Sequence, residues 1–89
     1  MSTSTTVKLL ALYGDGQRDF RAWQLQGADL DAAQLESINL AGAQLKEASL
    51  QEANLEGADL QEAQLQHATL RGANLRSADM TRARCGRWP

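Results

Sequence analysis

Leucine recurs at every fifth position through most of this chain. The spacing is unbroken from Leu25 to Leu75, and Phe20, Met80 and Cys85 continue the same register. In an α-helix, five residues advance about 500°, so these leucines would spread around the helix and form no apolar stripe. In a continuous strand, the odd spacing would place successive leucines on opposite faces. The pattern therefore disfavours both elements, although Ala, Leu, Glu and Gln are strong helix formers.

A second apolar position lies two residues before each leucine. It is alanine from Ala28 to Ala83, except for Ile38, whereas Arg18 and Trp23 occupy it at the start. Two positions of a strand that are two residues apart share a face, so each pair predicts a short extended step with both side chains inward. The three remaining residues must then turn the chain before the pair recurs. Repetition of step and corner predicts a β-solenoid with stacked inward residues.

The strings ADLDA, ANLEG, ADLQE, ATLRG, ANLRS and ADMTR resemble the tandem A-(D/N)-L-x-x pattern of the pentapeptide-repeat family. The resemblance extends over residues 18–87, about fourteen pentads, and the preceding LLALYGDGQRDF is similar to the leader of some short bacterial members. It implies an all-β solenoid, a right-handed quadrilateral β-helix with four pentads per coil and a short N-terminal α-helix as cap. With ~4.8 Å between coils, the resulting three and a half coils are ~17 Å tall.

The inward positions of these pentads are the predicted structural core. They are Phe20, Leu25, Leu30, Leu35, Leu40, Leu45, Leu50, Leu55, Leu60, Leu65, Leu70, Leu75, Met80 and Cys85. With four pentads per coil, residues twenty positions apart stack vertically and form outward columns on four sides. One column is expected to accept hydrogen bonds from corner amides, with a carboxylate column for cations as the alternative; it contains Asp19, Asn39, Asp59 and Asp79.

Two further columns predict contacts between coils. One of them is expected to form an amide ladder of the kind that stacked strands favour; it contains Gln24, Gln44, Gln64 and Arg84. In another column, Glu56 and Arg76 are twenty residues apart and are expected to pair across coils. An exposed ion pair of this kind contributes under ~1 kcal/mol.

The N-terminal segment departs from the repeat and predicts a cap. Residues 1–17 are interpreted as a disordered start followed by a short helix over residues 6–13, with a Ser or Thr cap before it and Gly14 and Gly16 after it. A solenoid must cover its terminal coil, because that coil exposes unpaired backbone and apolar side chains. The predicted end-cap residues here are Leu9, Leu10, Tyr13 and Trp23. A ligand site is the alternative interpretation of the two aromatic residues.

The C-terminal segment RARCGRWP also departs from the pattern. Trp88 falls at the next inward alanine position and is predicted to fold over the last coil as a plug, with residues 88–89 as a tail after the solenoid of residues 18–87. The three arginines of this segment are expected to discourage end-to-end stacking, which favours a monomer. A partner or dimer surface at this edge is the alternative.

Charge divides the repeats into two parts. Residues 29–62 contain eight acidic residues against Lys46 alone, whereas residues 63–89 contain five arginines against Asp79 alone. Some members of the resembled family mimic DNA and modulate gyrase, but a ~17 Å mimic of duplex DNA needs roughly ten negative charges. The net charge of −2 disfavours that activity. Few arginines, an acidic pI and no interleaved aromatic platform also argue against binding to nucleic acid.

Catalytic and metal sites lack the residue types they need. His67 is the only histidine and Cys85 the only cysteine, so a four-ligand zinc site and an intramolecular disulfide are excluded. The pentad register makes His67 a surface residue and Cys85 a small buried hydrophobe. No glycine-rich phosphate loop and no apolar run of about 20 residues is present. The sequence thus predicts no enzyme, no cofactor and no membrane segment, and favours a cytoplasmic protein.

Two functional hypotheses follow from these observations. In the first, the protein is a rigid protein-protein interaction scaffold whose outward side chains bind another protein. The candidate interaction surface is then Gln51, Glu52, Glu56, Glu62 and Arg71. In the second, it is a structural solenoid without a dedicated site. A modulator of topoisomerases is the less favoured third hypothesis.

Overall fold

One helix and a solenoid make up the computed structural model, which describes the backbone of residues 2–85 and the side chains of residues 5–85. Helix α1 spans Ser2–Gly14. It is longer than the predicted helix over residues 6–13, because residues 2–5 add a further turn before it. The predicted plug Trp88 and the tail of residues 88–89 lie outside the described residues.

The solenoid has a register of twenty residues per coil. Parallel bridges join the residue just before each inward residue to the residue twenty positions later, from Asp19 with Asn39 to Gln64 with Arg84. In residues 2–85 these bridges are single-residue contacts, and no extended strand forms. The reason lies in the pentad, since three of its five residues turn the chain and only two extend it. Four pentads therefore close one coil, as the sequence resemblance implies.

Each corner is a tight turn with one residue in the left-handed region. The amide of Ala28 donates to the carbonyl of Leu25 at 3.1 Å, and Gly27 between them has a φ of +69°. A positive φ at the third residue is the mark of a type II turn. The same conformation recurs every five residues, at four glycines and at nine other residues whose φ lies between 59° and 63°. These are Ala22, Ala32, Ser37, Glu47, Glu52, Glu62, His67, Ser77 and Arg82.

The Asx residues before the inward leucines hold these corners, as predicted. Asn39 Oδ1 accepts a hydrogen bond from the amide of Ala41 at 3.1 Å, and Asp59 Oδ1 accepts one from the amide of Gln61 at 3.1 Å. Short polar side chains that bond to the backbone two residues later are typical turn formers. The Asx side chain therefore accepts a hydrogen bond from a corner amide that is not used in the hydrogen bonds between coils.

The core is a single apolar column along the solenoid axis. The inward residues from Phe20 to Leu65 are at most 2% exposed. Ile38 is fully buried at a position that the two later coils fill with alanine. The inward residues of the last described coil are only half-buried against this column; they are Leu70, Leu75, Met80 and Cys85.

Helix α1 covers the N-terminal coil through one of its faces. Leu9 is fully buried in the core cluster, and Leu12 and Tyr13 pack against it. Leu10, which we predicted as a cap residue, is 41% exposed and does not contribute to the cap. Successive helical residues are rotated by about 100°, so burial of Leu9 turns Leu10 toward solvent.

The helix ends in a Schellman motif that aims the chain into the first coil. The amide of Gly16 donates to the carbonyl of Tyr13 at 2.9 Å, and the amide of Gln17 donates to the carbonyl of Leu12 at 3.0 Å. Gly16 has a φ of +104°, a conformation in which residues with a side chain are strained. Gly16, one of the two glycines predicted to end the helix, therefore forms the motif that turns the chain into the first coil.

Candidate interaction surface

Two adjacent corners of the solenoid carry most of the exposed carboxylates of its middle coils. The first corner holds Asp31 and, one coil further, Glu52. The second corner holds Glu36 and, stacked one coil further, Glu56. All four residues are exposed. We call Asp31, Glu36, Glu52 and Glu56 the acidic surface.

An amide ladder stiffens the flat side between these two corners. Asn54 Nδ2 donates to Gln34 Oε1 at 3.3 Å, and Asn74 Nδ2 donates to Asn54 Oδ1 at 3.3 Å. The ladder that we predicted on the column from Gln24 to Arg84 does not form. There the glutamines bond within their own coil, as Gln26 Nε2 does to Gln24 Oε1 at 3.3 Å. The shorter asparagine side chains keep their amides over the neighbouring coil, which favours the ladder between the corners.

The acidic surface has no ion-pair partner within the described residues 5–85. The ion pairs of that part of the chain are Arg21 with Asp19 at 2.9 Å and Arg82 with Glu62 at 3.8 Å, both on other sides of the solenoid. The pair predicted between Glu56 and Arg76 does not form. Both side chains are exposed, and an exposed pair gains too little energy to hold two long side chains in one geometry.

Asp31 differs from its acidic neighbours because its carboxylate is tied to the next coil. Its Oδ1 accepts a hydrogen bond from the amide of Gln51 at 2.9 Å and another from the hydroxyl of Ser49. This side chain therefore has a structural role as well as a surface charge. Within the described part of the chain, the carboxylates of Glu36, Glu52 and Glu56 make no hydrogen bond of this kind, so the backbone fixes only where these side chains begin.

The predicted interaction residues do not all lie on one surface. Gln51, Glu52 and Arg71 share the first corner, and Glu56 lies on the second. Glu62 lies on a separate corner, where it faces Arg82. The selection missed Asp31 and Glu36, although the register of twenty residues places them one coil below Gln51 and Glu56. Counting in that register would have found both.

The predicted column of Asp19, Asn39, Asp59 and Asp79 serves the corners instead of a cation. Asp79 Oδ1 accepts hydrogen bonds from the Thr81 hydroxyl at 2.6 Å and the Thr81 amide at 3.0 Å, and together they hold the pKa of Asp79 below its usual range. The side-chain hydrogen bond from Arg21 lowers the pKa of Asp19 in the same way. Within residues 5–85, no group of three His, Cys, Asp or Glu side chains is arranged to hold a metal ion.

The two aromatic cap residues contact the beginning of the solenoid. The Tyr13 hydroxyl donates to the carbonyl of Glu36 at 2.6 Å, and the Arg18 guanidinium lies 3.8 Å from the centre of the Tyr13 ring. The Trp23 and Phe20 rings meet edge to face with centroids 4.8 Å apart. These contacts support a structural role for both aromatic residues.

The two residues considered for catalysis or metal binding, His67 and Cys85, lie in different environments. His67 is exposed on a corner, and Cys85 is half-buried at the last described inward position. Within residues 2–85, no helix combines the length and the apolar character needed to cross a membrane.

Comparison with known proteins gives one family. Eight copies of the family model "Pentapeptide repeats" match residues 24–61 and 58–87. A pentapeptide repeat protein from the Arabidopsis thaliana thylakoid lumen is similar in structure, with a TM-score of 0.73 and 30% sequence identity. The match covers 79% of this chain and 49% of that protein, so the chain spans about half the length of this relative. None of the curated proteins matches the sequence significantly.

Two cyanobacterial pentapeptide repeat proteins are also similar. The one from Nostoc PCC 7120 is 33% identical over 83% of this chain and 74% of its own, with a TM-score of 0.36. The one from Cyanothece 51142 is 29% identical over 78% of this chain and 60% of its own, with a TM-score of 0.37. The family fold is a right-handed quadrilateral β-helix, here preceded by one helix. The chain belongs to the pentapeptide-repeat family.

Proposed function

We propose that this protein is a non-enzymatic interaction scaffold whose acidic surface binds a basic region of a partner protein. The observation that carries the proposal is the stack of Glu36 and Glu56 on adjacent coils, where neither carboxylate forms an ion pair within residues 5–85, although Arg76 follows one coil further in the same column. Side chains in neighbouring coils lie about 4.8 Å apart at their bases, and like charges directly opposite each other destabilise a sheet. A partner with lysines or arginines would relieve this repulsion.

The backbone supports such a role because it fixes the positions from which the carboxylates project before any partner arrives. Glu36 and Glu56 follow the bridges of Gln34 with Asn54, and Glu52 is held at a corner with a φ of +60°. Binding to a preorganised surface avoids much of the entropy cost of ordering it. Complementary charge also raises the association rate and disfavours wrong partners.

The proposal is tested by comparing two variants with equal loss of charge. The variant E36Q/E52Q/E56Q neutralises the three carboxylates that only the backbone positions, and D15N/E47Q/E62Q removes three charges elsewhere. Each protein is immobilised and incubated with lysate of its source cells, and retained proteins are identified by mass spectrometry. The interaction of each retained protein is then measured with purified components.

We expect a partner that is retained by the wild type and by D15N/E47Q/E62Q, and that E36Q/E52Q/E56Q binds at least about tenfold more weakly. The purified partner should bind more weakly at high salt, because salt screens exposed charges. Equal binding by all three proteins would contradict the proposal. Eluates without a specific protein would support the structural-solenoid hypothesis, and altered supercoiling by gyrase in the presence of excess protein would support the third.

A further inference from the structure

Helix α1 carries a second apolar stripe on the side opposite to its buried face. Val7 is 61% exposed and Leu10 is 41% exposed, and the exposed residues Ala11 and Gly14 lie beside them. Positions three and four residues apart share one face of a helix. A surface helix normally has charged and polar residues there, whereas α1 contains a single charged residue, Lys8. We call Val7, Leu10, Ala11 and Gly14 the outer stripe.

The outer stripe points away from the solenoid at its N-terminal end. The opposite face of α1 places Leu9 in the core, so the stripe faces outward. The bridges place Arg84 three coils after Gln24, and about 24 Å of coils and helix therefore separate the last described residues from the stripe. The four residues 86–89 span at most about 14 Å. The C-terminal end of the same chain therefore does not reach the outer stripe.

Gly14 is a glycine that the fold of its own chain does not require. It is helical without a positive φ, in contrast to Gly16, whose φ of +104° forms the Schellman motif. A Cβ at Gly14 would have no atom of the described chain within 4 Å. Glycine is also among the weakest helix formers. What Gly14 does provide is room on the outer stripe for the side chain of a second helix, because small residues allow a close approach of two helix axes.

Two opposite charges border the outer stripe on the same flank. Lys8 and Asp15 are exposed and seven residues apart, and the amide of Asp15 still donates to the carbonyl of Ala11 at 3.1 Å, as in a helix. Neither forms an ion pair within residues 5–85, and Lys8 Nζ lies 6.0 Å from the centre of the Trp23 ring. If two copies of α1 pack antiparallel about a twofold axis, the Lys8 flank of one faces the Asp15 flank of the other. A parallel pair would instead bring Lys8 to Lys8.

We propose that the outer stripe binds the outer stripe of a second copy of this chain, with the two α1 helices antiparallel about a twofold axis. Val7 of each copy lies opposite Gly14 of the other, and Leu10 lies opposite Ala11, so each large side chain meets a small residue. The macrodipoles of the two helices also oppose each other, which places unlike helix ends together. A twofold contact uses the same surface on both subunits and must be self-complementary, as this stripe is.

Self-complementarity selects a second copy over a lipid surface. Helices that lie on membranes are rich in lysine and arginine on their polar face, whereas α1 has Lys8 alone. Two helices of 13 residues bury less than the roughly 1,200 Å² of a standard interface, so the dimer forms and dissociates rapidly. The acidic surface lies on the sides of the solenoid and not at its end, so this contact is independent of the proposed basic partner.

Sedimentation equilibrium of the full chain at low salt tests the proposal, and circular dichroism confirms that each variant folds. We expect a monomer–dimer equilibrium with a dissociation constant between about 10 µM and 1 mM. Gly14→Leu should weaken the dimer at least tenfold, because the added side chain occupies the place of the second copy's Val7 but has open space in the monomer. Leu10→Gln, which keeps a good helix former at an exposed position, should also weaken it.

A charge exchange tests the antiparallel orientation. K8E and D15K should each weaken the dimer about fivefold, and K8E/D15K should restore it to within about twofold, because the two charges then meet with their signs reversed. K46E, which makes the same change of charge in a middle coil, should leave the dimer unchanged.

Three results would overturn the proposal. They are a wild type that is monomeric at about 2 mM, a dimer that Gly14→Leu leaves intact, and a double exchange that does not restore what K8E and D15K lose. A monomer that binds vesicles of phosphatidylglycerol through α1 would overturn it in favour of a lipid surface. In NMR of mixed labelled and unlabelled protein, nuclear Overhauser effects between Val7 and the second copy's Gly14 would confirm the register.

Discussion

At the residue scale, several corners combine a strained backbone with an Asx side chain that accepts a hydrogen bond from a corner amide. Nine residues with side chains adopt a φ near +60°, and five of them are Glu, His or Arg. The left-handed conformation costs a residue with a Cβ roughly 1–2 kcal/mol. The strain persists because the coil-to-coil bonds on both sides of the corner determine its path.

Ala32 tests this strain directly. Its φ is +59°, so Ala32→Val should destabilise the protein by about 1–2 kcal/mol, because a β-branched side chain tolerates this conformation worst. Ala32→Gly should be close to neutral, since relief of strain and greater freedom of the unfolded chain oppose each other. Urea unfolding measures both. Gln61→Val, at an exposed corner position with negative φ, is the control, and equal losses at both sites would contradict the account.

Asp79 gives a prediction for pH. Because its pKa is lowered by Thr81 in the folded state, its contribution to stability is complete above its usual value of 3.8 and is lost as pH falls through the folded pKa. In Thr81→Val the hydroxyl bond is missing, so the pKa of Asp79 should rise toward 3.8. NMR titration of the carboxyl carbon measures it. An unchanged midpoint would show that the hydroxyl does not determine this pKa.

At the element scale, helix α1 caps the solenoid, and the contacts that stabilise this cap come from one face of the helix. Leu9 contributes a fully buried side chain, Tyr13 a hydrogen bond to the carbonyl of Glu36, and Gly16 the reversal into the first coil. Val7 and Leu10 point away and are 61% and 41% exposed. The helix covers the edge and the interior of the first coil.

Leu9 and Leu10 form a matched pair for testing this orientation. Leu9→Ala should destabilise the protein by about 2–5 kcal/mol, as large-to-small substitutions of buried leucines do. Leu10→Ala should cost under about 1 kcal/mol, because the side chain is largely solvated in the folded state. Thermal and urea unfolding of both variants measure the difference. Reversed costs would mean that the helix covers the solenoid with its other face.

At the scale of the whole molecule, stability accumulates by stacking. Each coil bonds to its neighbours at fixed positions, so a middle coil has two partners and coil 66–85 has one described partner. In repeat proteins of this kind, stability is close to a sum of unit and interface terms. The middle coils should therefore tolerate inward substitutions least.

Leu55 and Leu75 occupy the same position in consecutive coils and measure this gradient. Leu55→Ala should cost about 2–5 kcal/mol, and Leu75→Ala clearly less, because Leu75 is only half-buried. Leu55→Arg should prevent folding, since it buries an unpaired charge. Circular dichroism and urea unfolding distinguish these outcomes. Equal costs for the two alanine variants would contradict this gradient.

The register of twenty came from the resemblance to the pentapeptide-repeat family, and the bridges between coils confirm it. The five-residue period alone determined the inward column and the corners. These features follow from local geometry, because only a step and a corner place apolar pairs together every five residues. The tertiary structure decided that α1 buries Leu9 and not Leu10, since two adjacent leucines in the sequence do not define the rotation of a helix. It also decided which columns form ladders and left Glu56 and Arg76 unpaired. Each exposed contact of these kinds contributes about 1 kcal/mol or less to stability. Small differences in side-chain length and in the neighbouring coils therefore determine which of these contacts form.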